Sequence, residues 1–426
     1  VSKPSLHRRK FLKTTAASAA ALSALSQLKS VHAAGNDVLK VGLVGCGGRG
    51  TGAAEQALKA DPNVKLVAMG DAFPDRIEQA LRALNQRSEL RGKIDVPRER
   101  QFSGFDNYKD VIAQCDVVLL CSPPGFRPLQ VKEAVEKGKH IFAEKPVAVD
   151  APGVRTVLAA CEEAKRKNLS VVSGLCWRYH EGMKQTFAKI HEGAVGDIVT
   201  LHCNYLTSVI KNWPRTPGMT EMEYQVRNWY YFTWLSGDFN VEQHIHSLDK
   251  MAWAMKDQTP VKAIGMGGRA ARPNENYGHI FDHMSTIYEY ANGVKCFSFC
   301  SQMENTDREV KDYIYGTEGK VDVMAHRITG KTSWSFPRNR PVTNMYQQEH
   351  NELFAAIRSG TPINNGEYMC KSTMMAIMGR MACYTGKTVT WEQAFNSREN
   401  LAPAQYRWDA AIPVPTVARP GVTELL

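Results

Sequence analysis

Three groups of residues in this chain have the types and spacing to do chemistry. The first is Val41-Gly42-Leu43-Val44-Gly45-Cys46-Gly47-Gly48-Arg49-Gly50, where an apolar run enters Gly45-x-Gly47-x-x-Gly50 and an Ala-rich helical pattern follows. Glycines at that spacing let the backbone turn tightly and bring a helix N-terminus, with its free N–H groups, against a pyrophosphate. Asp71 closes the next apolar run. A carboxylate at the end of a second strand accepts hydrogen bonds from ribose hydroxyls and repels a 2′-phosphate, so the pattern predicts NAD over NADP. Arg49 and Arg76 are the cations that could accommodate such a phosphate. The plain alternative is a strand–helix turn with an N-capping Asp.

The second group is Ala143-Glu144-Lys145-Pro146, at the carboxyl end of an apolar run. In a doubly wound sheet that position faces the nicotinamide, and an ammonium beside an oxidised nicotinamide has its pKa lowered. Such a lysine can hold a substrate hydroxyl and help move its proton during hydride transfer. Read alone, Lys-Pro at a strand end is more often a surface turn.

The third group is Gly237-Asp238-Phe239-Asn240-Val241-Glu242-Gln243-His244-Ile245-His246-Ser247-Leu248-Asp249. On a helix Glu242 and His246 share a face, and a carboxylate beside an imidazole orients it and raises its proton affinity. That suits His246 as the proton acceptor from an alcohol, with Glu242 as its partner. An exposed helix pair is one alternative. A metal held by Glu242, His244 and His246 is another, but a two-residue His spacing does not share a helical face, so no metal is predicted. Upstream, residues 212–234 hold Trp213, Tyr224, Trp229, Tyr230, Tyr231, Phe232 and Trp234, with Arg215 and Arg227. These would stack on sugar rings or pack a core or a subunit interface.

Positioning these groups requires two kinds of sheet. From Val38 to about Gly174 strands and helices alternate: strands at 39–44, 64–69, 116–121, 140–143 and 170–173, and helices after Gly50 and at 74–90, 129–136 and 150–167. This βαβ series predicts a parallel, doubly wound α/β sheet with ligands at the carboxyl ends of its strands. After Trp177 come a helix at 181–192 and strands at 198–206, 261–266, 284–290, 295–301, 312–315 and 320–324. Asn292-Gly293 and Glu318-Gly319 turns predict an antiparallel α+β sheet. Helices return at 349–359 and 369–385. The expected division is a signal at 1–33, a Rossmann domain at 34–176, a substrate domain at 177–396 whose last helices pack back on the first domain, and a tail at 397–426.

The formal charge of +10 is concentrated at one end. Residues 1–33 hold Lys3, Arg8, Arg9, Lys10, Lys13 and Lys29 and no acid, so the remainder has 47 basic against 43 acidic residues. No dense basic tract points to nucleic acid. The order Arg8-Arg9-Lys10, an Ala/Leu/Ser run and Val31-His32-Ala33 has the regions of a signal peptide and resembles a twin-arginine export signal. Its apolar part is too short and too Ala-rich for a good membrane span, so no stable insertion is expected after its removal. The ten cysteines show no Cys-x-x-Cys or zinc spacing and are read as small buried hydrophobes.

Together these segments resemble the glucose–fructose oxidoreductase, inositol dehydrogenase and MocA family over residues 38–396. The resemblance implies a catalytic Lys145. It places Ser122 and Pro123 at the cofactor, with Pro124 and Arg127 replacing a usual Asn and His, alongside Gly45, Gly47, Gly48, Arg49, Gly50, Asp71 and Glu144. In the family's Asp-x-Gly-x-His-x-x-Asp segment Glu242 takes the Asp position, His244 the Gly and His246 the His. Arg178 and Tyr179 of Cys176-Trp177-Arg178-Tyr179, His244 and Trp229 are expected at the substrate. The implied activity is NAD-dependent oxidoreduction of a sugar, sugar derivative or glycoside. An exported enzyme cannot exchange its cofactor with a pool, so NAD is expected to be tightly bound in the periplasm. The alternatives are an NAD-dependent glycosidase working by transient oxidation and elimination, and a non-catalytic NAD- or sugar-binding protein. An open sheet face also predicts a homodimer or homotetramer.

Overall fold

The computed structural model describes residues 37–337 and 339–425, so the expected signal at 1–33 lies outside the described residues. The first domain runs β1 (Leu39–Val44), α1 (Gly48–Ala60), β2 (Val64–Asp71), α2 (Pro74–Asn85), β3 (Gln101–Ser103), α3 (Asn107–Gln114), β4 (Val117–Leu120), α4 (Arg127–Glu136), β5 (His140–Ala143), α5 (Ala151–Arg166) and β6 (Val171–Ser173). Every residue of β4 and β5 is buried, as strands covered by helices on both faces must be. The strands form one parallel sheet in the order β3-β2-β1-β4-β5-β6. That order reverses between β1 and β4, which opens a crevice at their carboxyl ends. The sequence reading passed over β3 and α3. β3 has only three partly exposed residues, too few for a hydrophobic period to register. α2 ends at Asn85 and a separate 3₁₀ turn covers Ser88–Leu90, so the helix expected over 74–90 is two elements.

The second domain contains α6 (Glu181–His191), β7 (Ile198–Thr207), α7 (Glu221–Arg227), α8 (Thr233–Ser236), α9 (Phe239–Glu242), α10 (Ile245–Ala254) and strands β8 (Lys262–Gly268), β9 (His283–Glu289), β10 (Lys295–Gln302), β11 (Glu309–Gly316), β12 (Gly319–Asp322), β13 (Arg327–Gly330) and β14 (Trp334–Ser335). α11 (Met345–Ser359), α12 (Gly366–Thr385), β15 (Val389–Thr390) and α13 (Trp391–Asn396) follow. The nine-stranded order is β14-β13-β12-β11-β7-β10-β9-β8-β15. All its pairs are antiparallel except β7 with β10. The cause is topological. β10 and β11 are joined by a short link and run oppositely on either side of β7, so β7 must be parallel to one of them.

α12 ties the two sheets together. Sixteen of its twenty residues are buried, an all-round burial that a surface helix never shows. Met374, Met375, Ile377 and Met378 join a core that includes Val118, Val154 and Val157 from the first domain and Leu201, Cys203 and Tyr288 from the second. Leu353, Phe354 and Ile357 of α11 pack with Leu43, Ala57 and Leu58 on the other face of the parallel sheet. All ten cysteines are free thiols, and nine are buried.

Candidate functional site

The turn after β1 cannot be built from larger residues. Gly45 has φ +92, and a Cβ there would lie 2.3 Å from the Ser122 amide nitrogen. A Cβ on Gly50 would lie 1.8 Å from the Gly45 carbonyl oxygen. Gly47 and Gly48 differ: a Cβ on either meets nothing within 4 Å, because they border an open cleft of about 620 Å³. Among the described residues no side chain caps the N-terminus of α1, so its first N–H groups face that space. Asp71, at the carboxyl end of β2, lines the same cleft. It accepts hydrogen bonds from the Cys46 N–H (2.7 Å) and the Phe73 N–H (3.0 Å). Burial raises its pKa against the pull of those two bonds. A glycine cradle with a carboxylate at this position fits the pyrophosphate and ribose of a dinucleotide.

Residues from both domains close the other end. Lys145 lies two residues past the end of β5, and the Lys145–Pro146 peptide is cis. Its ammonium donates to Glu242 Oε1 (2.8 Å) and to the Glu242 carbonyl oxygen. Glu242 ends α9, a single turn capped at its N-terminus by Asp238. Asp238 has φ +76 and is fully buried. The Asp238 carboxylate accepts from the Phe281 N–H (3.0 Å), the Phe239 N–H and the Tyr384 hydroxyl (both 2.5 Å), and burial pushes its pKa up to about 6. This anchorage holds Glu242 in the lysine's reach. His246 lines the cleft beside them, and among the described residues its Nδ1 is buried without a partner.

The expected pairing of Glu242 with His246 is corrected. α9 stops at Glu242 and α10 begins at Ile245, so the two residues do not share one helical face. The carboxylate goes to Lys145 instead. His246 has its pKa well below the ordinary imidazole value, first by burial and then by the charges of Lys145 and Lys250. It is therefore a neutral base, not one made more basic by a carboxylate. Lys250 sits one turn further along α10, paired with the buried Asp312 and 5.0 Å from the Trp177 ring.

Gly45, Gly47, Gly48, Arg49, Gly50, Asp71, Ser122, Pro123, Glu144, Lys145, Glu242, His246 and Trp229 all line this cleft. Three expected substrate residues do not. Arg178 is locked by Asp249 (2.9 Å) and Asp257 (2.5 Å) and lies over the Tyr368 ring at 4.0 Å. A guanidinium with both forks bonded to carboxylates is a structural clamp. Tyr179 donates its hydroxyl to Asn365 (2.6 Å). His244 is buried against Ser298 (2.7 Å) and Cys203 (3.9 Å), which also removes it from any metal set with Glu242 and His246. Most of the aromatic stretch packs internally: Tyr224, Tyr230, Tyr231, Phe232 and Trp234 are core, while Trp213 and Trp229 reach the cleft.

Arg49 does not face a 2′-phosphate beside Asp71. Its guanidinium bonds Glu144 (2.5 Å) and Gln56 (2.9 Å), and its Tyr346 contact brings α11 to the floor of the cleft. Arg76 stays at the Asp71 end, 5.0 Å from the Trp213 ring. Sequence reasoning gave no role to Gln243, Tyr205, Trp177 or Tyr346, all of which line the cleft. Trp177 and Gln243 are the chain neighbours of Arg178 and Glu242.

Two family models match this chain. One describes an oxidoreductase family with an NAD-binding Rossmann fold and matches residues 39–173. The other describes a GFO/IDH/MocA C-terminal domain and matches residues 183–322. An inositol 2-dehydrogenase of Cereibacter sphaeroides is 25% identical over 260 residues, 60% of this chain and 65% of its own length. The chain thus spans less than two thirds of that relative. A glycosyl hydrolase family 109 protein of Shewanella pealeana is 22% identical over 361 residues, 78% of this chain and 71% of its own length. Among solved structures, a levoglucosan dehydrogenase in complex with NADH and levoglucosan shares the fold, with a TM-score of 0.65, 17% identity and coverage of 83% of this chain and 99% of that one.

Proposed function

The chain belongs to the Gfo/Idh/MocA family of oxidoreductases, and we propose that it oxidises a hydroxyl-bearing carbon of a sugar, sugar derivative or glycoside, with NAD as hydride acceptor. The observation that carries this reading is one cleft with a dinucleotide cradle at one end and Lys145, Glu242 and His246 at the other. NAD, when bound, supplies the nicotinamide carbon that accepts the hydride. Gly45–Gly50 and Asp71 would hold it, and Ser122 and Pro123 would border it. Asp71 favours NAD over NADP, although Arg76 stands nearby.

Lys145, held by Glu242, donates a hydrogen bond to the substrate hydroxyl and favours its alkoxide character. His246 is neutral at physiological pH and takes the hydroxyl proton. Glu242 keeps the ammonium aimed into the cleft. Trp229 borders the substrate end. The similarity to a glycosyl hydrolase family 109 protein supports a second reading, in which the same oxidation starts elimination of a glycoside and the hydride is later returned.

We also propose export through a twin-arginine pathway on the strength of Arg8-Arg9, with NAD carried in place and held without ready exchange. Met345 and Tyr346 of α11, which border the cleft beside Arg49 of the glycine turn, support tight retention. The test is mass spectrometry of the cofactor that co-purifies, followed by nicotinamide fluorescence with a panel of sugars and aryl glycosides. A ketosugar product supports the dehydrogenase, and phenol release without added cofactor supports the glycosidase. Loss of the cofactor on simple desalting would contradict tight retention.

A further inference from the structure

Gln243 lies between Glu242 and the buried His244 and lines the cleft. Behind it stands a chain of buried polar groups that fixes which end of its amide faces the ligand. Arg272, 5% exposed, donates from Nη1 to the Phe281 carbonyl (2.6 Å) and from Nη2 to Gln302 Oε1 (2.9 Å). A guanidinium has no acceptor, so the oxygen of Gln302 must be the end that meets it. The Gln302 nitrogen then points the other way and donates to Tyr230 Oη (2.7 Å) and to Gln243 Oε1 (2.7 Å). Gln302 is 1% exposed, so neither of its ends can turn to water.

We propose that this relay makes Gln243 a fixed hydrogen-bond donor to the substrate, selecting an acceptor oxygen near the reacting carbon. With Oε1 held by Gln302, the group Gln243 turns to the cleft is its –NH₂. The acceptor is a carboxylate oxygen or a neutral ring, glycosidic, carbonyl or hydroxyl oxygen, and a ligand group that can only donate is rejected. Gln302 and Arg272 are positioning residues that act through Gln243. The inference rests on the sugar-oxidising reading of the cleft and adds a specificity determinant to it.

Gln302→Glu tests the relay without altering any residue at the cleft surface. A carboxylate there still accepts from Arg272, and the Tyr230 hydroxyl rotates to donate. Gln243 must then donate to it as well, which turns the Gln243 oxygen to the substrate. KM and kcat are measured for the holoenzyme with neutral hexoses, hexuronates and their deoxy analogues. Gln302→Glu is expected to raise KM for the preferred sugar about tenfold, well beyond its effect on kcat, with melting temperature and bound NAD unchanged. Gln243→Glu distinguishes the sources. A rise in KM of about a hundredfold, confined to uronates, identifies a carboxylate. A rise of about tenfold shared by neutral sugars identifies a neutral oxygen, a hydroxyl where the rise disappears with one deoxy sugar and a ring, glycosidic or carbonyl oxygen where it persists with all of them. The two readings fail separately. A Lys145→Ala enzyme that still turns over the panel removes the hydride-transfer assignment. Unchanged KM in both glutamine variants, where Lys145→Ala is inactive, overturns the relay.

Discussion

Lys145 makes two hydrogen bonds to one residue, to the carboxylate and to the carbonyl of Glu242, so its position is set before any ligand arrives. Removing the ammonium by Lys145→Ala is expected to lower turnover about 10²–10⁴-fold while leaving NAD bound, checked by kcat and by cofactor content. His246 makes a different prediction, about pH. Its folded pKa lies below the ordinary 6.5, so the neutral, proton-accepting form persists as the pH is lowered through 6.5. The acid limb of kcat for oxidation therefore falls below pH 6.5, and a limb at or above that value would refute the assignment. Residue type and spacing made Lys145 and His246 candidates beside a surface turn and a helix-surface pair, and the family resemblance singled them out. Their link was not legible, because the break between α9 and α10 redirects Glu242 from His246 to Lys145.

At the scale of elements, the glycine turn separates into residues the fold needs and residues the ligand needs. A Cβ on Gly50 would overlap the Gly45 carbonyl at 1.8 Å, whereas one on Gly47 meets nothing within 4 Å. Gly50→Ala should therefore lower the melting temperature markedly. Gly47→Ala should keep it and weaken NAD binding, as measured by titration of the refilled apoprotein. The strand–turn–helix order made this element readable in advance, since period, breaker and acidic residue all fall within 33 positions of Leu39. β3 and the parallel β7–β10 pair were not readable. A three-residue strand has no period, and strand direction depends on which neighbours it meets.

At the scale of the whole molecule, stability should fall in acid. His279 and His350 are buried, and burial is the first cause that pushes each imidazole down to about 3 from 6.5. Between those values the unfolded chain binds protons that the folded chain does not, so stability rises with pH across that window. Asp238, raised from 3.8 to about 6, works with the opposite sign and loses stability as pH rises between those values. Denaturant unfolding at a series of pH values should show a net decline below pH 6.5, made shallower by His350→Phe, which packs on Phe142 at the position of the imidazole (ring centroids 4.3 Å apart). The outer face of the nine-stranded sheet exposes Ile264 (51%), Met266 (72%) and Phe299 (37%). We propose that this face pairs with a second copy. Met266→Glu combined with Ile264→Lys should then shift the mass in light scattering to that of the monomer, and an unchanged mass would place the contact elsewhere.

By itself the sequence determined the parallel α/β domain and the glycine cradle with Asp71, because each rests on local order or on a short spacing, and its resemblance to a family made Lys145 and His246 the candidates. Only the tertiary structure decided what those side chains touch. Arg178 had the right neighbours in the chain but meets Asp249 and Asp257, residues 71 and 79 positions away. Gln243 had no distinguishing signal, yet Gln302 and Arg272 give its amide a direction through hydrogen bonds between segments 59 and 30 residues apart. Contacts of that range depend on how two sheets pack around α12, and no local pattern records them.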